Sequence, residues 1–498
     1  MSTYYPDKKG NYFKQLSAAL EKQVLQLHLN TPFGYLLMGL MALAMAFIIA
    51  KINFLLGIII AGGLIGGTAV VVSLLHTELG FYMSMILSVF VFFLNRLVDD
   101  MLPVGTAVDL LVGTTFLGIY LRKTVQKEKY WRYSRNPITW IYLIYLAYLM
   151  IQLFNPDMQS FAGWGQVFRK AVSLLLIYFI ALHIFTRVAV IKRFFKVWLV
   201  MAVICGAYAC FQQWHGLLGF EEHWVMMDPI RYGLYFQGGT IRKFSFLSDP
   251  TAFGILMASS MVFALLLAIG QPDTGKRNWL LVASGVMALG MAFSGTRTAY
   301  AVIPAGIVIF VLMTITSKKT MAFTVMFLMF FMVLIFGPFH SIGTVNRIRT
   351  AFEFSEDESL NVRDKNRQYI QPYIWAHPIG GGVNTSGASG KQYNPEHPLA
   401  GFPPDSGYLK AAIETGWIGL ALTCLMYFIV LQRGIRGFYQ CRSKEFRNIY
   451  AASVAAIFIY VVAHYAQVAI GQIPGAFFFY GLYAVIIKLK TFEQPENV

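Results

Sequence analysis

The sequence predicts an all-α, polytopic membrane protein with about 12 to 14 transmembrane helices and one large periplasmic loop. Of its 498 residues, 57% are hydrophobic and only 13% are charged. A water-soluble fold of this length cannot bury so much apolar surface. Apolar runs of roughly 17 to 23 residues recur along the chain, and each is long enough to cross a hydrocarbon core of about 30 Å.

The apolar runs divide the chain into five parts. A cytoplasmic N-terminal tail (1–32) precedes a transmembrane bundle (33–338), a periplasmic loop (339–407), C-terminal transmembrane helices (408–490) and a cytoplasmic tail (491–498). We place the spans at 33–50, 53–74, 80–95, 104–121, 137–154, 171–186, 197–214, 250–270, 279–293, 298–315, 321–338, 408–431, 449–468 and 472–488.

The basic residues indicate the orientation of these spans. The net charge is +16, but it is concentrated in short loops that alternate with the spans, which marks them as cytoplasmic rather than as a nucleic-acid surface. These loops are 122–135, 187–196, 276–277, 318–319 and 433–447. Both termini are then cytoplasmic, and we expect a membrane protein surrounded by lipid, with no nucleic-acid partner.

The loop 339–407 is the one place where a small extramembrane structure is expected. Residues 361–377 are predicted to form a helix that breaks at Pro372. The Gly- and Ser-rich stretch 380–390 is predicted to be a flexible loop. The histidines on this face show no metal-ligand spacing, and the four cysteines form no disulfide pattern.

Three arginines in different segments fall on the predicted periplasmic face: Arg242, Arg297 and Arg363. Arg297 lies in a short sequence, Ser294-Gly-Thr-Arg297, that joins two apolar stretches with almost no loop. An arginine at the membrane edge is costly unless it is paired or binds an anion. Each could simply bond helix-end carbonyls or lipid headgroups. Converging guanidinium groups would instead suit a diphosphate, because the planar fork donates paired hydrogen bonds to phosphate oxygens.

The order of several short motifs makes the chain resemble the O-antigen ligase and polymerase family. The motifs are Arg242-Lys-Phe-Ser-Phe-Leu-Ser-Asp-Pro250, Phe293-Ser-Gly-Thr-Arg297, Arg363 followed by Pro378-Ile-Gly-Gly-Gly382, Asp405-Ser-Gly-Tyr-Leu409 and Glu414-Thr-Gly416-Trp-Ile-Gly419. The resemblance covers about 200 residues at the C-terminal end.

The resemblance implies a glycosyltransferase of the C type in the bacterial inner membrane. Such enzymes take a glycan from a polyprenyl diphosphate carrier without a metal or other cofactor, and they invert the anomeric centre. By this resemblance Arg242, Arg297 and Arg363 would contact the donor diphosphate. Arg367, one helical turn beyond Arg363, is a further substrate-binding candidate.

Two residues are candidates for the catalytic base. The ligase pattern usually has His-Asn where this chain has Asp405 and Ser406. The Asp405 carboxylate could accept the proton of an attacking hydroxyl, or it could instead cap the helix that follows. His397, in Pro395-Glu-His-Pro398, is the second candidate.

The predicted function is transfer of a carrier-linked glycan to an acceptor hydroxyl at the periplasmic face. With lipid A core as the acceptor the enzyme would be a ligase, and with another carrier-linked repeat it would be a polymerase. A transporter or flippase for lipid-linked glycans is the alternative from another class. That class needs charged groups near mid-membrane, whereas the arginines here are predicted at one face.

Overall fold

A computed structural model describes residues 30–47, 54–100, 105–126, 134–237, 239–338, 343–350, 352 and 358–493. The described chain is almost entirely helical, and its strands, β1 (Phe236–Gln237) and β2 (Thr240–Ile241), form a single short antiparallel pair. Most of the N-terminal tail, including residues 1–29, lies outside the described residues. The chain divides into two compact units, 1–87 with 105–134 and 88–104 with 135–498.

The first unit contains the N-terminal helices. These are α1 (Pro32–Phe47), α2 (Phe54–Leu75), the first half of α3 (Thr77–Leu97) and α4 (Gly105–Val125). Glycines allow close contact within this unit, since a Cβ at Gly118 would lie 2.4 Å from the carbonyl oxygen of Leu74. The face of α1 is largely exposed and apolar, as expected for a helix in lipid.

The second unit holds the remaining helices and all the candidate site residues. After the end of α3 it contains, in chain order, α5 (Pro137–Ile151), α6 (Phe161–Ile184), α7 (Val188–Trp214), α8 (Gly219–Met226), α9 (Pro229–Tyr235), α10 (Pro250–Gly270), α11 (Thr274–Ser294), α12 (Arg297–Thr314), α13 (Lys318–Phe336), α14 (Gly343–Thr350), α15 (Glu358–Ala376), α16 (Gly387–Tyr393), α17 (Gly407–Gln440), α18 (Lys444–Ala466) and α19 (Gly475–Glu493).

The structure confirms a polytopic helical membrane protein. Nine of the described helices are long and apolar enough to cross a membrane, and three shorter apolar helices accompany them. Each predicted span falls on a helix, but several helices begin earlier than predicted, and the largest differences are at α6 and α7. Helix α6 begins at Phe161, where the Ser160 side chain accepts a hydrogen bond from the Gly163 amide, and α7 begins at Val188. A polar cap sets the start of α6, whereas the residue before α7, Arg187, makes no side-chain cap hydrogen bond.

Helix α18 lies at the centre of the second unit and packs against α10, α12, α17 and α19. One end of this bundle, called the site end below, is where α10, α12 and α17 begin and α18 finishes. There the Thr296 hydroxyl bonds the Pro250 carbonyl and the Ser406 hydroxyl bonds the His464 carbonyl. At the opposite end, where the predicted cytoplasmic loops lie, the Asn448 amide bonds the carbonyl of Leu267.

Two predictions about the large loop are wrong. Helix α15 continues through Pro372 to Ala376, so the proline does not break it. The glycine-rich stretch is also fixed by specific hydrogen bonds, described below, and is not simply a flexible loop. The break that does occur lies in α17, where Gly416 has φ 66° and ψ −165°. The segment after Gly416 is about 36 Å long at 1.5 Å per residue, which is sufficient for a span.

Candidate functional site

Arg242 is hydrogen-bonded to the turn between α11 and α12. Its Nε donates to the carbonyl oxygen of Ser294 at 3.0 Å, and its Nη2 donates to the hydroxyl of Thr296 at 2.8 Å. The Thr296 hydroxyl in turn donates to the carbonyl of Pro250, the first residue of α10. Burial, followed by the nearby charge of Arg347, lowers the pKa of Arg242 to about 10, so the guanidinium stays positive at pH 7.

The conformation of the turn 294–297 explains the glycine in its Ser-Gly-Thr-Arg sequence. Gly295 ends α11 with φ 58°, a left-handed conformation that glycine adopts without a steric penalty. A Cβ at Gly295 would lie 3.0 Å from Nε and 3.1 Å from Cζ of Arg347. The absence of a side chain at Gly295 therefore allows the guanidinium of Arg347 to pack directly against this turn. Arg297 is the first residue of α12, and its side chain is exposed.

Arg347 is a functional candidate that the sequence reasoning missed. It lies on α14, and its guanidinium donates 2.9 Å hydrogen bonds to both the carbonyl and the side-chain oxygen of Gln237. Burial lowers its pKa, and the positive charge of Arg297 lowers it further. No motif marked this arginine, because its neighbours in space, Gln237 and Gly295, are far from it in sequence.

Arg242, Arg297 and Arg347 therefore form one group of positive charges, called the arginine cluster below. Their positive charges repel one another, since Arg347 lowers the pKa of Arg242 and Arg297 lowers the pKa of Arg347. An anion bound between them would relieve this repulsion. The N-termini of α10 and α12 lie at the same place and add partial positive charge. This arrangement is suited to binding phosphate groups through charge-assisted hydrogen bonds.

The last turn of α18 holds the start of α17, where Asp405 is found. The hydroxyl of Ser406 donates to the carbonyl of His464 at 3.3 Å, and the hydroxyl of Tyr408 donates to the carbonyl of Val461 at 2.9 Å. A Cβ on Gly407 would lie 2.0 Å from Cε1 of His464. Only glycine fits between the two helices, which gives a physical reason for the Ser-Gly-Tyr sequence.

Asp405 comes directly before the helix cap and is not the cap itself. The cap of α17 is Ser406, whose hydroxyl accepts from the Leu409 amide at 3.3 Å. The interpretation of Asp405 as a capping carboxylate is therefore wrong. The Asp405 side chain is partly buried, and within the described ranges no hydrogen bond or ion pair reaches its carboxylate. It is available to accept a proton from a hydroxyl placed beside it.

Arg367 contacts the same turn of α18 from the other direction. Its Nη1 donates to the hydroxyl of Tyr465 at 2.8 Å, and its Cζ lies 4.4 Å from the centre of the Tyr465 ring. It also lies 3.6 Å from Asp364. These bonds tie α15 to the bundle, so Arg367 is at the site end but outside the arginine cluster. The backbone of Arg363 lies one turn earlier on α15, and its side chain is outside the described residues.

Packing of α12 on α18 places the arginine cluster and Asp405 at the same end of the molecule. Gly306 of α12 lies against Ile459 of α18, since a Cβ on this glycine would come 2.6 Å from the isoleucine Cδ1. From that contact Arg297 lies about 14 Å along α12, and Tyr465 about 9 Å along α18, at 1.5 Å per residue. The helices are antiparallel, so both residues lie toward the site end.

His397 is less suited to accept a proton in this structure. Its Nδ1 accepts a hydrogen bond from the Leu399 amide at 3.1 Å, which implies that the neutral ring carries its proton on Nε2. That Nε2 is buried, and in the described part of the chain it has no hydrogen-bond partner. It lies against Gly381, where a Cβ would come within 3.0 Å. Burial lowers the pKa of His397.

The glycine stretch after Pro378 forms hydrogen bonds with the backbone of α17 on both sides of its break. The Trp417 amide donates to the carbonyl of Pro378, and the Gly381 amide donates to the carbonyl of Ile413, both at 2.9 Å. Two side chains that the sequence reasoning did not select hold this loop in place: the amides of Gln152 and Asn155 donate to the carbonyls of residues 379 and 380. The groups freed by the break are therefore satisfied inside the protein, as a membrane protein requires.

A multispan helical bundle with clustered arginines at one end defines the class of protein: a polytopic membrane protein with a candidate anion site. Among the described residues, no three His, Cys, Asp or Glu side chains lie close enough to hold a metal ion. A sequence model of the O-antigen ligase family matches residues 282–424. The match confirms the predicted resemblance to the O-antigen ligase and polymerase family over these residues, and a search of curated proteins finds no match.

The matched region contains most of the candidate residues. Arg297, Arg347, Arg363, Arg367, His397 and Asp405 lie within it, whereas Arg242 comes before it and His464 after it. The structure shows how these two outlying residues meet the family region. Arg242 bonds the 294–297 turn, and His464 packs on Gly407.

Proposed function

We propose that this protein transfers a glycan from a polyprenyl diphosphate carrier to an acceptor hydroxyl, in the manner of an O-antigen ligase. The observation that supports the proposal is the arrangement at the site end. A cluster of arginines lies at the N-termini of two helices, and Asp405, whose carboxylate has no hydrogen-bond or ion-pair partner among the described residues, lies at the start of a third. The family match supports the same class of reaction.

In the proposed reaction the acceptor oxygen attacks the anomeric carbon of the donor sugar. The bond from that carbon to the diphosphate breaks, and Asp405 takes the proton of the attacking hydroxyl. The arginine cluster stabilises the negative charge that develops on the leaving diphosphate, which is where electrostatic catalysis acts. Attack from the side opposite the diphosphate inverts the anomeric centre, and no metal is needed to activate the leaving group.

The site end is proposed to face the periplasm. The opposite end of the second unit carries the basic loops 276–277, 318–319 and 442–447, and such loops are retained in the cytoplasm. A cysteine substituted for Arg349, near the cluster, should react in intact cells with a thiol reagent that does not cross the inner membrane. Reaction only after the inner membrane is permeabilised would reverse the orientation.

The catalytic proposal is tested with purified protein in liposomes. Labelled carrier-linked glycan and an acceptor should give extended acceptor and free polyprenyl diphosphate. Asp405→Asn and Arg297→Gln should each lower the turnover by at least about a hundredfold. Lys192→Gln removes a charge from an ion pair with Glu445 at the opposite end and should have no effect. Movement of intact donor across the bilayer without product would indicate a transporter instead.

Ligase and polymerase differ in the acceptor, and the glycan profile of a deletion strain separates them. Loss of all long chains with accumulation of carrier-linked polymer is expected for a ligase. A core that carries a single repeat is expected for a polymerase. We favour the ligase because the matching family model carries that description.

A further inference from the structure

We propose that Arg96 is a positioning residue for Arg242, acting through the backbone of residues 243–249. This segment connects Arg242 to Pro250, the first residue of α10, and Arg96 reaches it from the end of α3. The inference rests on the proposed function, because it takes Arg242 as a contact of the donor diphosphate. Arg96 is only 1% exposed, so it acts on the donor through Arg242 and not by direct contact.

Segment 243–249 runs through the interior of the protein without forming a helix or strand. Phe244, Ser245 and Leu247 are all completely or almost completely buried. A buried backbone carbonyl or amide is costly when it has no hydrogen-bond partner. In a membrane protein such irregular backbone is tolerated where protein groups satisfy it. The segment therefore needs partners from other elements of the fold.

Arg96 provides two of these partners. Its Nη1 donates to the carbonyl of Leu247 at 3.0 Å, and its Nη2 donates to the carbonyl of Ser245 at 2.8 Å. Its Cζ lies 4.6 Å from the centre of the Phe244 ring and 5.7 Å from that of Trp224, so aromatic rings surround the cation. The planar guanidinium can hold two carbonyls at a fixed spacing, whereas a lysine ammonium cannot.

Ser245 has a backbone conformation that its neighbours must hold. Its φ of 54° lies in the left-handed region, which is rare for residues other than glycine and persists where the surrounding structure fixes it. Three groups do so. The Ser245 amide donates to Oε1 of Gln212 at 2.9 Å, its hydroxyl donates to the carbonyl of Cys205 at 2.7 Å, and its carbonyl accepts from Arg96. Strain of this kind is concentrated at functional sites.

The side chain of Gln212 is itself held by a buried carboxylate. Gln212 and Glu221 are both fully buried, and Nε2 of Gln212 donates to the two carboxylate oxygens of Glu221 at 3.0 and 3.1 Å. Glu221 also accepts a hydrogen bond from the amide of Leu218 at the start of α8. These bonds direct the amide oxygen of Gln212 toward Ser245. A polar network from α3, α7 and α8 therefore converges on one residue of the segment.

The segment is joined directly to groups of the proposed donor site. Lys243 follows Arg242, and its amide donates to the carbonyl of Phe293 in α11 at 3.1 Å. At the other end of the segment Asp249 caps α10, and its carboxylate accepts two backbone amides of the first turn. The same stretch of backbone therefore fixes both Arg242 and the N-terminus of α10. A shift at residues 245–247 would be passed to both.

The position of Arg96 argues for a role beyond packing. It is the next-to-last residue of α3, a helix long and apolar enough to cross a membrane. Burial of a guanidinium is costly even when its hydrogen bonds are good, and ionisable residues within membrane spans are concentrated at functional sites. We therefore expect substitution of Arg96 to affect donor binding as well as stability.

The test is a double-mutant cycle on the binding of polyprenyl diphosphate to purified full-length protein in phosphatidylcholine nanodiscs. The matching polyprenyl alcohol gives the contribution of the lipid chain alone. Arg96→Lys keeps the charge but not the fork, and it should weaken the diphosphate-specific affinity by about tenfold. Arg242→Gln should weaken it at least as much. In protein with Arg242→Gln, Arg96→Lys should cause less than about a twofold further loss, because its effect passes through Arg242.

The cycle separates positioning from general destabilisation. The same loss of affinity from Arg96→Lys with and without Arg242 would show an independent structural effect and overturn the proposal. Wild-type affinity in either single variant would also overturn it. Arg122→Lys is the matched control, since Nη2 of Arg122 donates to the carbonyl of Leu75 at 2.6 Å in the other compact unit. This variant should bind the diphosphate as the wild type does.

A milder variant keeps the test decisive if Arg96→Lys does not fold. Ser245→Ala removes the hydrogen bond from the hydroxyl to Cys205 and leaves the backbone groups of the segment in place. It should weaken diphosphate binding by about threefold. That loss should disappear in protein with Arg242→Gln, and persistence of the full loss there would refute the positioning role.

Transfer measurements distinguish this inference from the proposed function. In the wild type and in Arg96→Lys, donor KM should differ by about tenfold while acceptor KM stays the same. Glycan transfer with equal donor KM in both proteins would refute the role of Arg96 and leave the transferase proposal intact. Diphosphate binding that is coupled between Arg96 and Arg242, without any glycan transfer by the wild type, would refute the transferase proposal and leave a positioned anion site.

Discussion

Substitution of Gly407 by alanine should lower turnover without weakening donor binding. An alanine Cβ would lie 2.0 Å from Cε1 and 2.1 Å from Nε2 of the His464 ring, whereas carbon atoms in contact are normally about 3.5 to 4.0 Å apart. One of the two groups must therefore move by roughly 1.5 Å.

The histidine ring has little room to move. It is 6% exposed, its Nδ1 accepts a hydrogen bond from the Ile470 amide, and the rings of Tyr408 and Tyr427 pack edge-on against it. The first turn of α17 should move instead and carry Asp405 with it. A displacement of about 1 Å in a reacting group can lower a rate by about a hundredfold.

The assay is steady-state transfer in liposomes, with kcat and donor KM measured separately. The turnover of Gly407→Ala should fall by about a hundredfold, while donor KM should stay within about twofold, because the arginine cluster is held by α10, α11 and α14. Gly285→Ala is the matched control, since a Cβ there meets nothing within 4 Å. A folded Gly407→Ala protein with wild-type kcat would refute the idea that the end of α18 positions Asp405.

Three further predictions concern the cluster and the two candidate bases. Arg347→Gln should raise donor KM by about tenfold or more, the scale of one lost charge-assisted bond, whereas Lys276→Gln at the exposed opposite end should not. Asp405→Asn should lower kcat far more than His397→Gln, and the reverse order would identify His397 as the base. Burial lowers the pKa of His397, so the unfolded state binds its proton more readily and the free energy of unfolding should fall from pH 7 to 5. Thermal unfolding of His397→Gln should show a weaker pH dependence, and an unchanged dependence would contradict this assignment.

Hydropathy predicted the helical bundle because lipid contact requires long apolar segments. It did not predict where the helices begin. The first residues of α6 and α7 include Arg169, Lys170, Lys192 and Arg193, whose charges lower the local hydropathy although the backbone is already helical. Long basic side chains extend toward water from inside such helices, so hydropathy placed both starts too late.

The candidate site was predictable only where its residues are close in sequence. Arg242 and the 294–297 turn stood out because an arginine next to an apolar span is unusual. Arg347 and Gln237 are joined only by folding, and a hydrogen bond across such a sequence separation leaves no periodic signal. The sequence did not indicate that His464 positions the start of α17, because its contact with Gly407 depends on how two long helices cross.

The break in α17 gives a last prediction, in which the effect should be on stability rather than on chemistry. Gly416 has φ 66° and ψ −165°, a conformation open almost only to glycine, and another residue there costs about 1 to 3 kcal/mol. An alanine Cβ would also lie 2.1 Å from the carbonyl oxygen of Pro378, a backbone atom that cannot turn away. Gly416→Ala should therefore lose the bond from the Trp417 amide to Pro378 and melt well below Gly285→Ala in detergent. Equal melting temperatures would show that the break does not depend on glycine.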